Sequence, residues 1–163
     1  AYPRGIAIDP TSHTAYVAVM GSTRIAKISL ANFAVSWIDN VGSAPRHLVM
    51  SPDGKYLYAT INGSGVVDKI DLATRKVLYR VATGKAPRSM TISPDGTALY
   101  VVNYESNTMT KLRSSDMHIL QTVHTNPDPI GITYDAASNR VWVACYSGSI
   151  MVFNDGPAAK PLS

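Results

Sequence analysis

Residues 87–103 read PRSMTISPDGTALYVVN: a proline, a short apolar run, a Ser-Pro-Asp-Gly turn and a second apolar run. The phrase opens again at Pro3 (PRGIAIDP), Pro45 (PRHLVMSP) and Pro129 (PIGITYDA), so the four prolines stand 42 residues apart throughout. An aromatic follows in step at Tyr16, Tyr58, Tyr100 and Trp142. Marks held in register over three intervals identify an internal repeat, and a repeat takes precedence over any local reading.

Within the unit 87–128, four short strands are expected. Arg88–Ser93 runs into the turn, where proline presets φ and glycine accepts a positive φ. Ala98–Asn103 is β-branched and aromatic, the composition of a strand. Met109–Leu112 and Ile119–His124 follow, set off by the polar turns Glu105-Ser106-Asn107 and Ser114-Ser115-Asp116. Four antiparallel strands per 42 residues, with no 3.6-residue period anywhere, is the sequence form of a propeller blade. The fold class is therefore all-β: a β-propeller of four-stranded antiparallel blades in four 42-residue repeats. Blades occupy 1–153 (repeats about 3–44, 45–86, 87–128 and 129–153), and 154–163 reads as a C-terminal tail.

Both faces of such a sheet are apolar, and stacking blades around an axis buries both. Met90 with Ile92, Leu99 with Val101, and the copies Leu48, Met50, Leu57 and Ala59 are expected in these inter-blade layers. The last unit runs only through a third strand, Ile150–Phe153. The proline-bearing tail after it makes a poor fourth, because each proline removes a ladder donor. A partial or half propeller is expected, completed by further blades of a longer chain or by a second chain in a homodimer.

At SPDGKYLYAT (51–60), SPDGTALYVVN (93–103) and the short strand Lys69-Ile70-Asp71, the chain resembles the YVTN-repeat family of β-propellers, the surface-layer and NHL-like type. The likeness covers residues 3 to about 153. It departs at Asp9-Pro10-Thr11-Ser12 and Asp135-Ala136-Ala137-Ser138, and by about one residue near Gly148-Ser149-Ile150. The resemblance implies a bacterial or archaeal origin and an extracytoplasmic location: secreted, periplasmic or at the cell surface. It supplies no shared catalytic residues.

The 163 residues are 45% hydrophobic and only 16% charged, which suits units pressed together. No run reaches the roughly 18 apolar residues of a membrane span. Ala1-Tyr2-Pro3-Arg4 has neither a charged n-region nor an apolar h-region, so this stretch is no signal peptide. Net charge is +4, but the 15 Lys and Arg form no block, so no nucleic-acid partner is expected. The lone Cys145 excludes an intramolecular disulfide and is expected to be buried and inert. The histidines at 13, 47, 118 and 124 lack metal-ligand spacing, so no metal and no cofactor is called for. There is no nucleophile elbow, and Asp53 and Asp95 read as caps of their own turns.

The candidates for function lie at the axis and in the loops. Arg4, Arg46 and Arg88 each follow the blade-opening proline, so the blade rotation brings three guanidinium groups towards one mouth of the central channel. Such a cluster suits a carboxylate or phosphate. The alternative is that they brace neighbouring blades through carbonyls and aspartates. His47 breaks the repeat beside Arg46, where other units have Gly5, Ser89 and Gly131. Asn62, Tyr104 and Tyr146, with Met20, share one loop position and all differ, as binding loops on a rigid scaffold do. Asn62-Gly63-Ser64 also fits a glycosylation sequon.

The first functional reading is a non-enzymatic binding or interaction scaffold with a basic axial mouth, its partner a protein, a glycan or a small anionic ligand. The second is a propeller enzyme, lactonase- or lyase-like, with its site over the central channel. The third is a purely structural segment of a surface protein.

Overall fold

A computed structural model describes residues 1–156. Blade 1 comprises β1 (Tyr2–Asp9), β2 (Thr14–Met20), β3 (Ile25–Ser29) and β4 (Val35–Ile38). Blade 2 comprises β5 (Pro45–Met50), β6 (Tyr56–Ile61), β7 (Val66–Asp71) and β8 (Lys76–Ala82). Blade 3 comprises β9 (Pro87–Ile92), β10 (Ala98–Asn103), β11 (Thr108–Arg113) and β12 (Ile119–His124). Blade 4 has β13 (Pro129–Asp135), β14 (Arg140–Cys145) and β15 (Ser149–Asn154), with no fourth strand among the described residues. Every sheet is an antiparallel meander in chain order, and the described residues contain no α-helix, only a 3-10 turn at Asn62–Ser64.

The turn chemistry expected for the repeats is in place. In blade 2 the Ser51 hydroxyl donates to Asp53 Oδ1 (2.6 Å) and accepts from the Tyr56 amide (2.9 Å), while Asp53 Oδ1 takes the Lys55 amide (3.1 Å). Blade 3 repeats this with Ser93, Asp95, Thr97 and Ala98. Blades 1 and 4 reach a similar end from Asp9 and Asp135, which accept the amides of Thr11 and Ala137.

The core is a series of inter-blade layers. Tyr16 and Ala18 of blade 1 pack against Leu48, Leu57, Ala59 and Ile70 of blade 2. Tyr58 and Val67 of blade 2 meet Met90, Leu99, Val101 and Leu112 of blade 3. Tyr100 and Val102 of blade 3 meet Val141, Val143 and Cys145 of blade 4. The remaining faces of blades 1 and 4 stay in solvent: Ile6 is 61% exposed and Ile150 69%.

A second repeat runs through these layers, and it escapes a reading that looks only for apolar marks. Lys27, Lys69 and Lys111 recur at 42 residues, each directly opposite Tyr16, Tyr58 or Tyr100 in the strand pairing. Lys69 crosses to blade 3, where its ammonium donates to the carbonyls of Ser114 and Ser115 (both 2.9 Å) and sits 4.2 Å from the Tyr56 ring centre. Lys111 crosses to blade 4 and pairs with Asp155 at 2.6 Å, the two side chains 0% and 2% exposed. The hydroxyls of Tyr100 and Tyr134 both donate to the other oxygen of Asp155. Burial and the neighbouring carboxylate push the Tyr134 hydroxyl up to about 12, and Tyr100 further in the same direction. Residues 157–163, including Pro157 and Pro161 of the expected tail, lie outside the described residues.

Removing one member of a buried ion pair strands the other charge, at a cost of about 3–5 kcal/mol. Asp155→Ala is therefore expected to lower the urea unfolding free energy by that amount. An unchanged midpoint would show that Lys111 finds another acceptor.

Candidate functional site

The inner strands pack on one another in sequence, β1 on β5, β5 on β9, and β9 on β13. Each begins with a local break in the ladder. Pro45 pairs with Ile61 and His47 with Thr60, so Arg46 is the extra, unpaired residue of a β-bulge. Ile130 is skipped in the same way in β13, and the register shifts at the matching places in β1 and β9, which hold Arg4 and Arg88. A bulge re-aims a side chain away from the regular alternation. The preceding blade holds the carbonyl of the bulged residue: Arg88 O accepts from the Thr60 hydroxyl (3.0 Å), and Ile130 O from the Ser89 hydroxyl (2.5 Å). At Arg46 the preceding blade offers Gly5, whose absent Cβ would stand 2.7 Å from Arg46 O and 2.8 Å from His47 Cα. Only glycine admits that approach.

The residues before three of the prolines, Ala44, Ala86 and Asp128, are left-handed (φ 57°, 53° and 59°). Their carbonyls accept the amides of Asn62, Tyr104 and Tyr146 (3.0, 3.1 and 2.9 Å). One backbone device thus fixes the variable loop position beside each blade-opening Pro-Arg, and only the side chain differs. Tyr104 and Tyr146 stand edge to face at 6.3 Å, with the Arg88 guanidinium 4.8 and 5.4 Å from their ring centres. Asn62 instead donates to Pro87 O (3.1 Å) and ties blade 2 to blade 3. Met20 receives Arg46 Nη1 on its sulfur at 3.4 Å.

The three arginines sense one another. Burial lowers the Arg46 guanidinium from its usual value, and the charges of Arg88 and then Arg4 lower it further. Among the described residues none of the three is ion-paired with a carboxylate; the pairs present are made by Arg24, Lys55, Arg80, Lys111 and Arg113. Arg46 and Arg88 are held by a thioether and two rings, which fix position without neutralising charge. His47 is half-buried, and burial followed by the Arg46 charge holds its imidazole below the usual range. The arrangement is a cluster of oriented cations with a neutral imidazole beside it.

The other candidates fall away from this cluster. His13 is exposed in the β1–β2 turn, and Cys145 is buried and free. Serine hydroxyls in their own turns hold the carboxyls of Asp53 and Asp95 below their ordinary values. Among the described residues no group of three His, Cys, Asp or Glu could hold a metal ion.

A sequence model described as the Cytochrome D1 heme domain matches residues 21–149. No curated protein matches the chain in sequence. Among solved structures, the hydrazine synthase of Kuenenia stuttgartiensis superposes with a TM-score of 0.85 at 17% identity, over 93% of this chain and 46% of that one. The periplasmic gluconolactonase of Pseudomonas aeruginosa gives 0.85 at 18%, over 98% and 52%. A protein from Lactobacillus plantarum gives 0.83 at 24%, over 99% and 53%. These likenesses establish the propeller fold, and the chain spans about half the length of the structures it matches.

The depressed His47 leads to a pH dependence of definite sign. The folded protein holds this imidazole neutral while the unfolded chain protonates it near 6.5, so its contribution to stability is complete above pH 6.5 and is lost as pH falls from there towards the depressed value. The melting temperature is expected to drop between pH 7.5 and 5.5, and His47→Gln to remove that part of the slope. Parallel pH profiles for the two proteins would contradict it.

Proposed function

The chain belongs to the cytochrome D1 heme domain family, and on that footing we propose that it is a ligand-binding propeller segment whose axial mouth takes a small anion. The observation that carries this reading is the trio Arg4, Arg46 and Arg88, mutually close and without a carboxylate partner among the described residues. A guanidinium presents a rigid fork of donors that matches carboxylate and phosphate oxygens. Arg88 stacked between two tyrosines has already lost much of the rotamer freedom that binding would cost. Tyr104 and Tyr146 then form the aromatic wall of the mouth, and a protein or glycan partner would meet the same loops.

The donor set also fits the heme that names the family. The acidic edge groups of a heme would be held by Arg4, Arg46 and Arg88, and His47, kept neutral beside them, is in the form of imidazole that binds iron. Heme bound there would supply one-electron chemistry at its iron. The chain's own part is to neutralise carboxylates and to keep an unprotonated nitrogen available.

A second reading is favoured by the same histidine. In a lactonase-like enzyme with its site over the channel, the neutral His47 would accept a proton from an attacking water while Arg46 steadied the developing charge. The likeness to the gluconolactonase lends this support at the level of fold alone. An extracytoplasmic setting goes with either reading. The YVTN-type repeat phrase supports it, and no helix among the described residues is long and apolar enough to cross a membrane.

Isothermal titration with citrate tests the mouth. Arg88→Ala is expected to weaken binding by about 1.5–3 kcal/mol, the worth of a hydrogen bond to a charged group. Citrate affinity unchanged in the Arg4/Arg46/Arg88 triple alanine variant would leave only a structural role. Heme titration followed by its absorbance, and hydrolysis of a sugar lactone, separate the cofactor-binding and enzymatic forms of the reading.

A further inference from the structure

We infer that the two uncovered end faces dock on each other between two copies of this chain, so that two four-blade arcs close one ring and share one axial mouth. The open face of blade 1 carries Ile6, Ile8 and Val35, between 54% and 61% exposed, and that of blade 4 carries Trp142, Ile150 and Val152, between 38% and 69% exposed. On the blade 4 face Val152 lies opposite Trp142, where Lys27, Lys69 and Lys111 lie opposite tyrosines in the other blades. This end is thus less polar than the faces already buried inside the array. A terminal unit that met only water would need the reverse.

The blade 4 face also keeps the device by which one blade receives the next. Gly131 stands 126 residues after Gly5, three repeat lengths. At Gly5 the inner strand of the following blade comes so close that a Cβ would clash with its backbone, whereas at Gly131 a Cβ would meet only Ala144 of its own blade. The place of a following inner strand is kept clear but unfilled. Docked there, β1 of a second copy would bring its Arg4 beside Tyr146, in the relation that Arg46 bears to Met20.

The occupant follows from the arc. The four blades cover about half of each propeller they superpose on, so the missing arc is the size of the arc present. A two-fold rotation about the propeller axis sets blade 4 of each copy on blade 1 of the other. That makes two identical head-to-tail interfaces which close after two subunits rather than growing into a filament. The closed ring encircles the mouth with two sets of Arg4, Arg46 and Arg88. This inference builds on the anion-binding reading for the mouth, but the assembly itself is read by mass.

Light scattering on the purified chain is expected to give twice its 17.5 kDa mass. Ile150→Asp is expected to give a monomer with unchanged circular dichroism and added binding of a hydrophobic dye. Phe33→Asp, on an exposed turn away from either end face, should remain a dimer. A monomeric wild type without dye binding would overturn the inference. So would a dimer that persists in Ile150→Asp, or one found only in a longer chain that supplies the missing blades itself. Citrate titration on the same samples distinguishes the two claims, since a monomer that still binds citrate through Arg88 sinks the assembly and leaves the mouth standing.

Discussion

Each blade of this protein is a four-stranded sheet with apolar side chains on both faces, and no single blade can keep both out of water. That constraint organises everything else. Leu57 and Ala59 face blade 1 while Tyr58 faces blade 3, because successive residues of a strand point to opposite sides. The alternation usually read as one buried and one wet face becomes a run of buried residues, as in Ala98–Asn103, none of which is exposed. The consequence is directional: packing continues until the faces run out, and Ile6 and Ile150 mark where it stops.

Much of this architecture was legible in the 42-residue spacing. The strands expected for the third unit differ from those found only at their ends; Met109–Leu112, for instance, extends to Thr108–Arg113. Turn residues were legible too, because a Ser-Pro-Asp-Gly phrase has few conformations open to it. The buried lysines were not. A lysine in a short strand reads as its solvent side, and only the facing tyrosine and the carbonyls of the next blade show why Lys69 is inside. Asp155 was hidden for a related reason: its partner Lys111 lies 44 residues away, on another blade.

At the mouth, the sequence identified the residue types and left their neighbours unknown. Spacing brings Arg4, Arg46 and Arg88 to equivalent places, but it does not reveal the β-bulge that frees each from the ladder. Nor does it separate Asn62 from Tyr104 and Tyr146. All occupy one loop position with the backbone held alike, yet Asn62 is short enough to reach the carbonyl of Pro87 and becomes a brace. The tyrosines cannot make that bond, and their rings turn to the guanidinium of Arg88 instead.

The choice between bracing and binding for the arginines rests on what bracing looks like elsewhere in the same molecule. Lys69 ends on two carbonyls, Lys111 on a carboxylate, and Arg80 on both oxygens of Asp68, each satisfied by a specific acceptor. An array that so regularly supplies acceptors to its structural cations supplies no carboxylate among the described residues to the three at the mouth. It gives them a sulfur and two aromatic faces, contacts that orient a guanidinium yet leave its charge to act on something else. Like charges held together in this way raise the energy of the empty mouth, as the lowered proton affinity of Arg46 records. An arriving anion relieves that repulsion as well as making its own bonds, so part of its affinity is built into the empty site.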